Sequence, residues 1–378
     1  MTHQFAQVPS AEIPRSSFDR SHGYKTTFDG GLLVPIFVDE ALPGDTFNLS
    51  MTAFARLATP IFPVMDNMFM ETFFFAVPIR LVWDNWEKFN GAQTNPGDST
   101  DFVIPQYQQT NHSQASLSDY FGIPTAISGG VPHSCLHHRA YNLIWNDWFR
   151  DQNMQNTIPN NTDDGPDNNV DYSVQRRGKR HDYFTSCLPF PQKGDAVTIP
   201  LGTVAPIKGL GGPEFQTFND IGVTVNEMGG TRVYPFSTET NAKSFIMEGD
   251  AEAGDPLLFA DLTDATAVTI NQLRQAFQIQ KLQERDARGG TRYTEIIRAH
   301  FGVSSPDARL QRPEYLGGGS TPVNVTPVAQ TSETDPSGPD ASPQGNLAAF
   351  GTASLHNHGF TKSFTEHCLL IGMVNVRA

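Results

Sequence analysis

Residues 45–54 read DTFNLSMTAF, and within them Phe47, Leu49, Met51 and Ala53 alternate with Asn48, Ser50 and Thr52. Successive side chains leave a strand on opposite sides, so a period of two marks a sheet with one covered face. Outward from this stretch, residues 32–82 hold further runs of β-branched and aromatic residues, punctuated by Pro35, Pro43-Gly44, Pro60, Pro63 and Pro78. That is strand chemistry with turns between. The run NMFMETFFFAVPIRLVW at 67–83 is apolar on both faces, which predicts cover on both.

Three amphipathic helices interrupt the β pattern. Residues 138–150 (HRAYNLIWNDWFR) place Tyr141, Trp145, Trp148 and Phe149 on one face at spacings of three and four. Residues 263–288 carry Ile270, Leu273, Phe277 and Leu282 on a stripe, with Thr263 as the expected cap and Gly289-Gly290 as the stop. A shorter helix at 291–301 ends at Gly302. The rest reads as arm and loops. Residues 1–30 are polar and turn-rich, an extended arm ahead of a domain spanning 31–378. Residues 159–171 are acidic and amidic. Residues 194–256 alternate strand-like pieces with Gly-rich turns, the composition of a loop, and 317–345 read as a long Gly/Ser/Thr/Pro-rich loop outside any core. No turn, cap or polar tail follows Ala378, which predicts a natural chain that continues.

The 378 residues carry 26 Lys and Arg against 40 Asp and Glu, a formal charge of −14, which excludes a globally basic nucleic-acid coat. No apolar run approaches the roughly 18 residues a membrane span needs. The N-terminus lacks the basic start and apolar stretch of a secretory signal. Cys135, Cys187 and Cys368 are odd in number and far apart, as expected of reduced thiols, and the sequons at Asn48 and Asn160 then read as chance.

The sharpest charged motif is Arg176-Arg177-Gly178-Lys179-Arg180-His181. In an acidic chain, Arg176, Arg177, Lys179 and Arg180 are candidates for contact with nucleic-acid phosphates or an acidic neighbouring subunit; the plain reading is a solvated loop. A second basic series, Arg274, Lys281, Arg285, Arg288, Arg292 and Arg298, alternates with Glu284, Asp286 and Glu295 and reads as helix-surface pairing. His133, Cys135, His137 and His138 have a metal-like look but lack a second ligand pair, with His356, His358, His367 and Cys368 too distant in sequence to supply one by spacing, so no metal or other cofactor is expected. Trp83-Asp84-Asn85-Trp86-Glu87 sets two carboxylates beside two indoles, as in sugar-cleaving clefts, or as in a packed strand end. No GxSxG, GxxxxGK(S/T) or HExxH motif occurs. No catalytic residue is assigned.

Five blocks carry a resemblance: YKTTFDGGLLVPIFVDEALPGDTF at 24–47, AYNLIWNDWFRDQNMQ at 140–155, RRGKRHDYFTSCLPFPQKG at 176–194, the long run from Ile270 to Ser332, and HGFTKSFTEH at 358–367. Together they resemble the major capsid protein of the Microviridae, in the gokushovirus branch. The resemblance implies an eight-stranded viral jelly-roll β-barrel with large loop insertions, assembled through pentamers into a T=1 icosahedral shell around circular single-stranded DNA. It further implies a non-enzymatic virion protein assembled in the host cytoplasm beside other virion proteins, with 194–256 a variable surface insertion facing a bacterial surface receptor, and, since members of the family run beyond the HGFTKSFTEH block, a barrel open along one edge if the chain is truncated. A carbohydrate-binding or carbohydrate-active β-sandwich using Trp83, Asp84, Trp86 and Glu87 is the competing class; it would bind sugar as a small oligomer, where a shell subunit forms large particles.

Overall fold

The structure is a computed structural model. It describes residues 14–58, 64–107, 111–178, 183, 186–198, 269–328 and 348–378, and between 199 and 268 only four strand segments. The described residues form eleven strands: β1 (Val34–Ala41), β2 (Thr46–Leu57), β3 (Phe69–Pro78), β4 (Ile207–Lys208), β5 (Gly222–Glu227), β6 (Gly230–Pro235), β7 (Phe259–Ala260), β8 (Glu314–Pro322), β9 (Asn324–Val328), β10 (Ala348–Ser363) and β11 (Cys368–Arg377). The helices are α1 (Trp86–Phe89), α2 (Leu117–Tyr120), α3 (Leu136–Ile144), α4 (Ile270–Gly289), α5 (Tyr293–Phe301) and α6 (Asp307–Leu310). The chain divides into two compact units, Met1–Cys187 with Ser304–Ala378, and Leu188–Val303.

The first unit is built on two antiparallel sheets, ordered β1-β11-β3-β8 and β2-β10-β9. The mainly β, antiparallel class with a few helices, the make-up of a viral capsid jelly roll, is what the chain has. Along β2 exposure alternates residue by residue, with Phe47, Leu49, Met51 and Ala53 turned inward. They meet the other sheet: Phe47, Leu49 and Met51 pack with Phe74 of β3 and Leu370 of β11, Ala53 and Ala55 pack with Met70 of β3 and Val374 of β11, and Phe360 and Leu355 of the adjacent β10 complete the two clusters. The opposite face of the four-stranded sheet is covered as well. Phe75, Val77, Leu369, Ile371 and Met373 pack against Leu136, Ala140, Tyr141 and Ile144 of α3. β3 and β11 therefore read as continuous apolar runs because each is covered on both faces.

The helix expected at 138–150 is α3 followed by one π turn over Trp145–Phe149. The helix expected from 263 begins later. Thr269 caps α4, its hydroxyl accepting from Gln272 N while the Gln272 side chain accepts from Thr269 N. Thr263 lies outside the described residues. Gly290 (φ 94°) and Gly302 (φ 69°) end α4 and α5, as the glycines foretold.

One expectation is overturned. The stretch read as loop from 317 is strand in its first part: Gly317, Gly318 and Gly319 lie in β8 opposite Phe74, Phe73 and Thr72, and β9 follows. These glycines sit where the two sheets touch. A Cβ on Gly317 would stand 2.4 Å from the Gly359 carbonyl oxygen of β10, and one on Gly319 would stand 2.4 Å from the His358 ring. Bare backbone is the condition for that approach. The last strand, β11, is no edge; it lies between β1 and β3.

Residues 14–29 form neither helix nor strand and are mostly exposed. Arg20 donates to Asp39 (2.7 Å) and the Tyr24 hydroxyl to the Tyr120 carbonyl (3.1 Å). In the second unit β4 pairs with β7 and β5 with β6. Most of 194–256 and all of 329–347 lie outside the described residues.

Candidate functional site

Among the described residues of the first unit, Arg139 of α3 is fully buried with all five N–H donors used. Nε and Nη2 grip Asp167 at 2.7 and 2.5 Å; Nη1 donates to the carbonyls of Val82 (3.0 Å) and Asp163 (2.7 Å); Nη2 also reaches Asp163 Oδ1 (3.1 Å). The Tyr172 hydroxyl donates to Asp167 as well. Burial alone would raise the Asp167 pKa, yet the hydrogen bonds from Arg139 and Tyr172 hold it below the ordinary carboxylate value. Burial and the neighbouring carboxylate push the Tyr172 phenol up. This cluster pins the acidic 159–171 loop to α3 and to the chain after β3. Its sequence signal was an arginine three residues after Leu136 and four before Leu143, inside the apolar stripe of a helix.

Beside it, the metal-like His/Cys motif resolves into ring packing. Tyr107 lies among His133 (5.0 Å between ring centroids), His138 (4.9 Å), His112 (5.3 Å) and Tyr172 (5.6 Å). Cys135 Sγ donates to the Pro105 carbonyl (3.3 Å), and His138 Nε2 meets Ser118 Oγ (3.0 Å). Among the described residues no group of three or more His, Cys, Asp or Glu is arranged to hold a metal ion. His358 bonds Thr72 through Nδ1 (2.8 Å), His367 lies against Trp86, and all three cysteines are free thiols.

In the Trp83–Glu87 segment, Trp83 is fully buried and donates through Nε1 to Asp164 (2.7 Å). Asp84 accepts from the Thr162 hydroxyl (2.9 Å), while Glu87 is exposed. The rings of Trp83, Trp86 and Phe89 pack on one another at 5.3–6.0 Å. One carboxylate is thus tied to a loop and one indole lost to the core.

The basic motif is split. Arg177 turns inward: its guanidinium pairs with buried Glu71 of β3, which also accepts from Arg377 Nε (3.2 Å), and it lies 4.6 Å from the Phe73 ring centroid. Arg176 is exposed, with its carbonyl accepting from Trp145 Nε1 (3.1 Å). Lys179 and Arg180 lie outside the described residues. The Glu71–Arg377 pairing is not legible in the sequence, because a lone carboxylate in an apolar strand signals a buried partner without naming it.

A family model described as "Capsid protein (F protein)" matches residues 6–378. The chain belongs to this capsid protein family. Proteins named capsid protein VP1 are similar along nearly all of it: that of Bdellovibrio phage phiMH2K is 50% identical over 385 residues, 99% of this chain and 71% of the relative. That of Chlamydia phage 1 is 40% identical (100% and 73%), and that of Spiroplasma virus 4 is 36% identical (99% and 71%). The role is structural and non-enzymatic, and the capsid protein is part of the virion. No described helix is long and apolar enough to cross a membrane. In a capsid protein the Arg139 cluster and the Trp83–Trp86 packing are scaffold, which leaves the exposed surface to carry the function.

Proposed function

We propose that this chain is the shell-forming subunit of a small T=1 icosahedral particle that assembles through pentamers with other virion proteins and encloses circular single-stranded DNA. The observation that carries the reading is the capsid family match over residues 6–378 on a chain whose first unit is built on two antiparallel sheets. In this reading Arg176, Lys179 and Arg180 face DNA phosphates or an acidic neighbour, and Arg177 serves the fold through Glu71. The insertion at 194–256 meets a receptor on the bacterial surface, since recognition concentrates in surface loops on a rigid scaffold. The test is electron microscopy of the expressed protein with nuclease protection of its nucleic acid. Uniform small shells holding protected single-stranded DNA are expected, and small sugar-binding oligomers would refute the reading. Replacing 198–250 by a Gly/Ser linker should leave assembly intact and abolish adsorption to host cells. Loss of assembly would make the insertion architectural.

A further inference from the structure

Within the Leu188–Val303 unit, α4 shows its large apolar residues to solvent. Its covered side carries Ala276, Gln280, Gln283 and Ala287, at steps of four, three and four; Ala287 is buried and the others are half-buried. There the Gln283 side chain accepts from Gln192 Nε2 (3.0 Å), its carbonyl accepts from Lys193 N (3.3 Å), and Asp286 bonds His300 of α5 (2.5 Å). On another side Ile270, Leu273 and Phe277, at steps of three and four, are 69%, 37% and 65% exposed. An ordinary surface helix turns the apolar stripe inward, and a contiguous apolar patch left outside marks an interaction site.

Arg274, Lys281, Arg285 and Arg288, at steps of seven, four and three, run beside this stripe. Arg288 pairs with Glu284 (3.2 Å); Arg274, Lys281 and Arg285 have no ion-pair partner among the described residues. From Thr269 to Val303 there are six Lys and Arg against three Asp and Glu, in a chain of net charge −14. The face is therefore apolar and basic while the remainder of the same chain is acidic. In the 159–171 stretch, for instance, there is no Lys or Arg, and of its four aspartates Asp163 and Asp164 are exposed while Asp167 is buried against Arg139. Two such helices facing each other would oppose their basic rows, so the complementary surface is a different patch, a head-to-tail contact of the kind that closes rings.

We propose that the Ile270–Leu273–Phe277 face of α4 is a contact between copies of the capsid protein, its apolar stripe buried and its basic row set against the acidic surface of the neighbouring copy. This rests on the reading of the chain as a self-assembling shell subunit. The test compares the full-length wild type with a Leu273→Gln, Phe277→Gln double variant and with a Lys281→Glu, Arg285→Glu variant, by sedimentation velocity and electron microscopy. Unfolding in urea is measured beside them. Both variants should unfold at the wild-type midpoint, and the glutamine variant should need at least tenfold more protein to associate. The charge-reversed variant should also associate more weakly and lose most of the salt dependence the wild type shows. Wild-type association by the variants would overturn the contact, and so would a lowered urea midpoint, which would place the stripe inside its own chain. A wild type that never associates would overturn the shell reading itself.

Discussion

Arg139 shows what a single buried charge demands. Its guanidinium has given up water entirely, and five hydrogen bonds replace it. Removing one member of such a pair leaves the other charge buried without compensation, which costs about 3–5 kcal/mol, whereas replacing both by apolar groups of similar volume is often neutral. Arg139→Met should therefore cost the capsid protein about 3–5 kcal/mol in urea unfolding, and adding Asp167→Leu should recover much of it. An additive double variant would show that the two residues act separately. Glu71 makes the same demand of Arg177 and Arg377, and that explains why half of the visible basic motif is unavailable to a partner.

At the scale of elements, sheet contact is governed by what β8 lacks. The Gly317–Gly319 run reads as loop by composition, which does not distinguish a loop from strands that cross closely. The answer depended on β10, whose Gly359 is just as crowded: a Cβ there would stand 1.9 Å from the Leu49 carbonyl oxygen. Gly317→Ala and Gly359→Ala should each destabilise the first unit by about 1–3 kcal/mol in urea unfolding, as overpacking does. Gly23→Ala, where nothing lies within 4 Å of the added carbon, should leave the midpoint unchanged. By contrast β2, β3 and α3 were readable outright, because each satisfies its periodicity within one segment. The Arg139–Asp167 pair was not, since its meaning lies in a residue 28 positions away.

At the scale of the whole molecule, the packed histidines set how the capsid protein responds to acid. Burial first, and neighbouring imidazoles second, depress the pKa of His112 and of His138 below the ordinary 6.5. A base with a depressed folded-state pKa is neutral in the fold and protonated in the unfolded chain, so stability is intact above pH 6.5 and falls as the pH drops below it. Asp167, depressed below 3.8 by its hydrogen bonds, adds a second loss at still lower pH. Urea midpoints should decline from about pH 6.5 downward, and His112→Phe should flatten the upper part of that decline; an unchanged slope would clear His112 of the effect. The same breadth of view applies to β11. Val34 pairs with Val374 and Phe75 with Ile371, partners far apart in the sequence, so the four-stranded sheet has no centre until β11 is present. On the ribosome, β1 and β3 must therefore wait with open edges through the synthesis of everything between. A nascent chain that stops before β11 lacks the strand that joins β1 to β3, and its four-stranded sheet stays in two pieces.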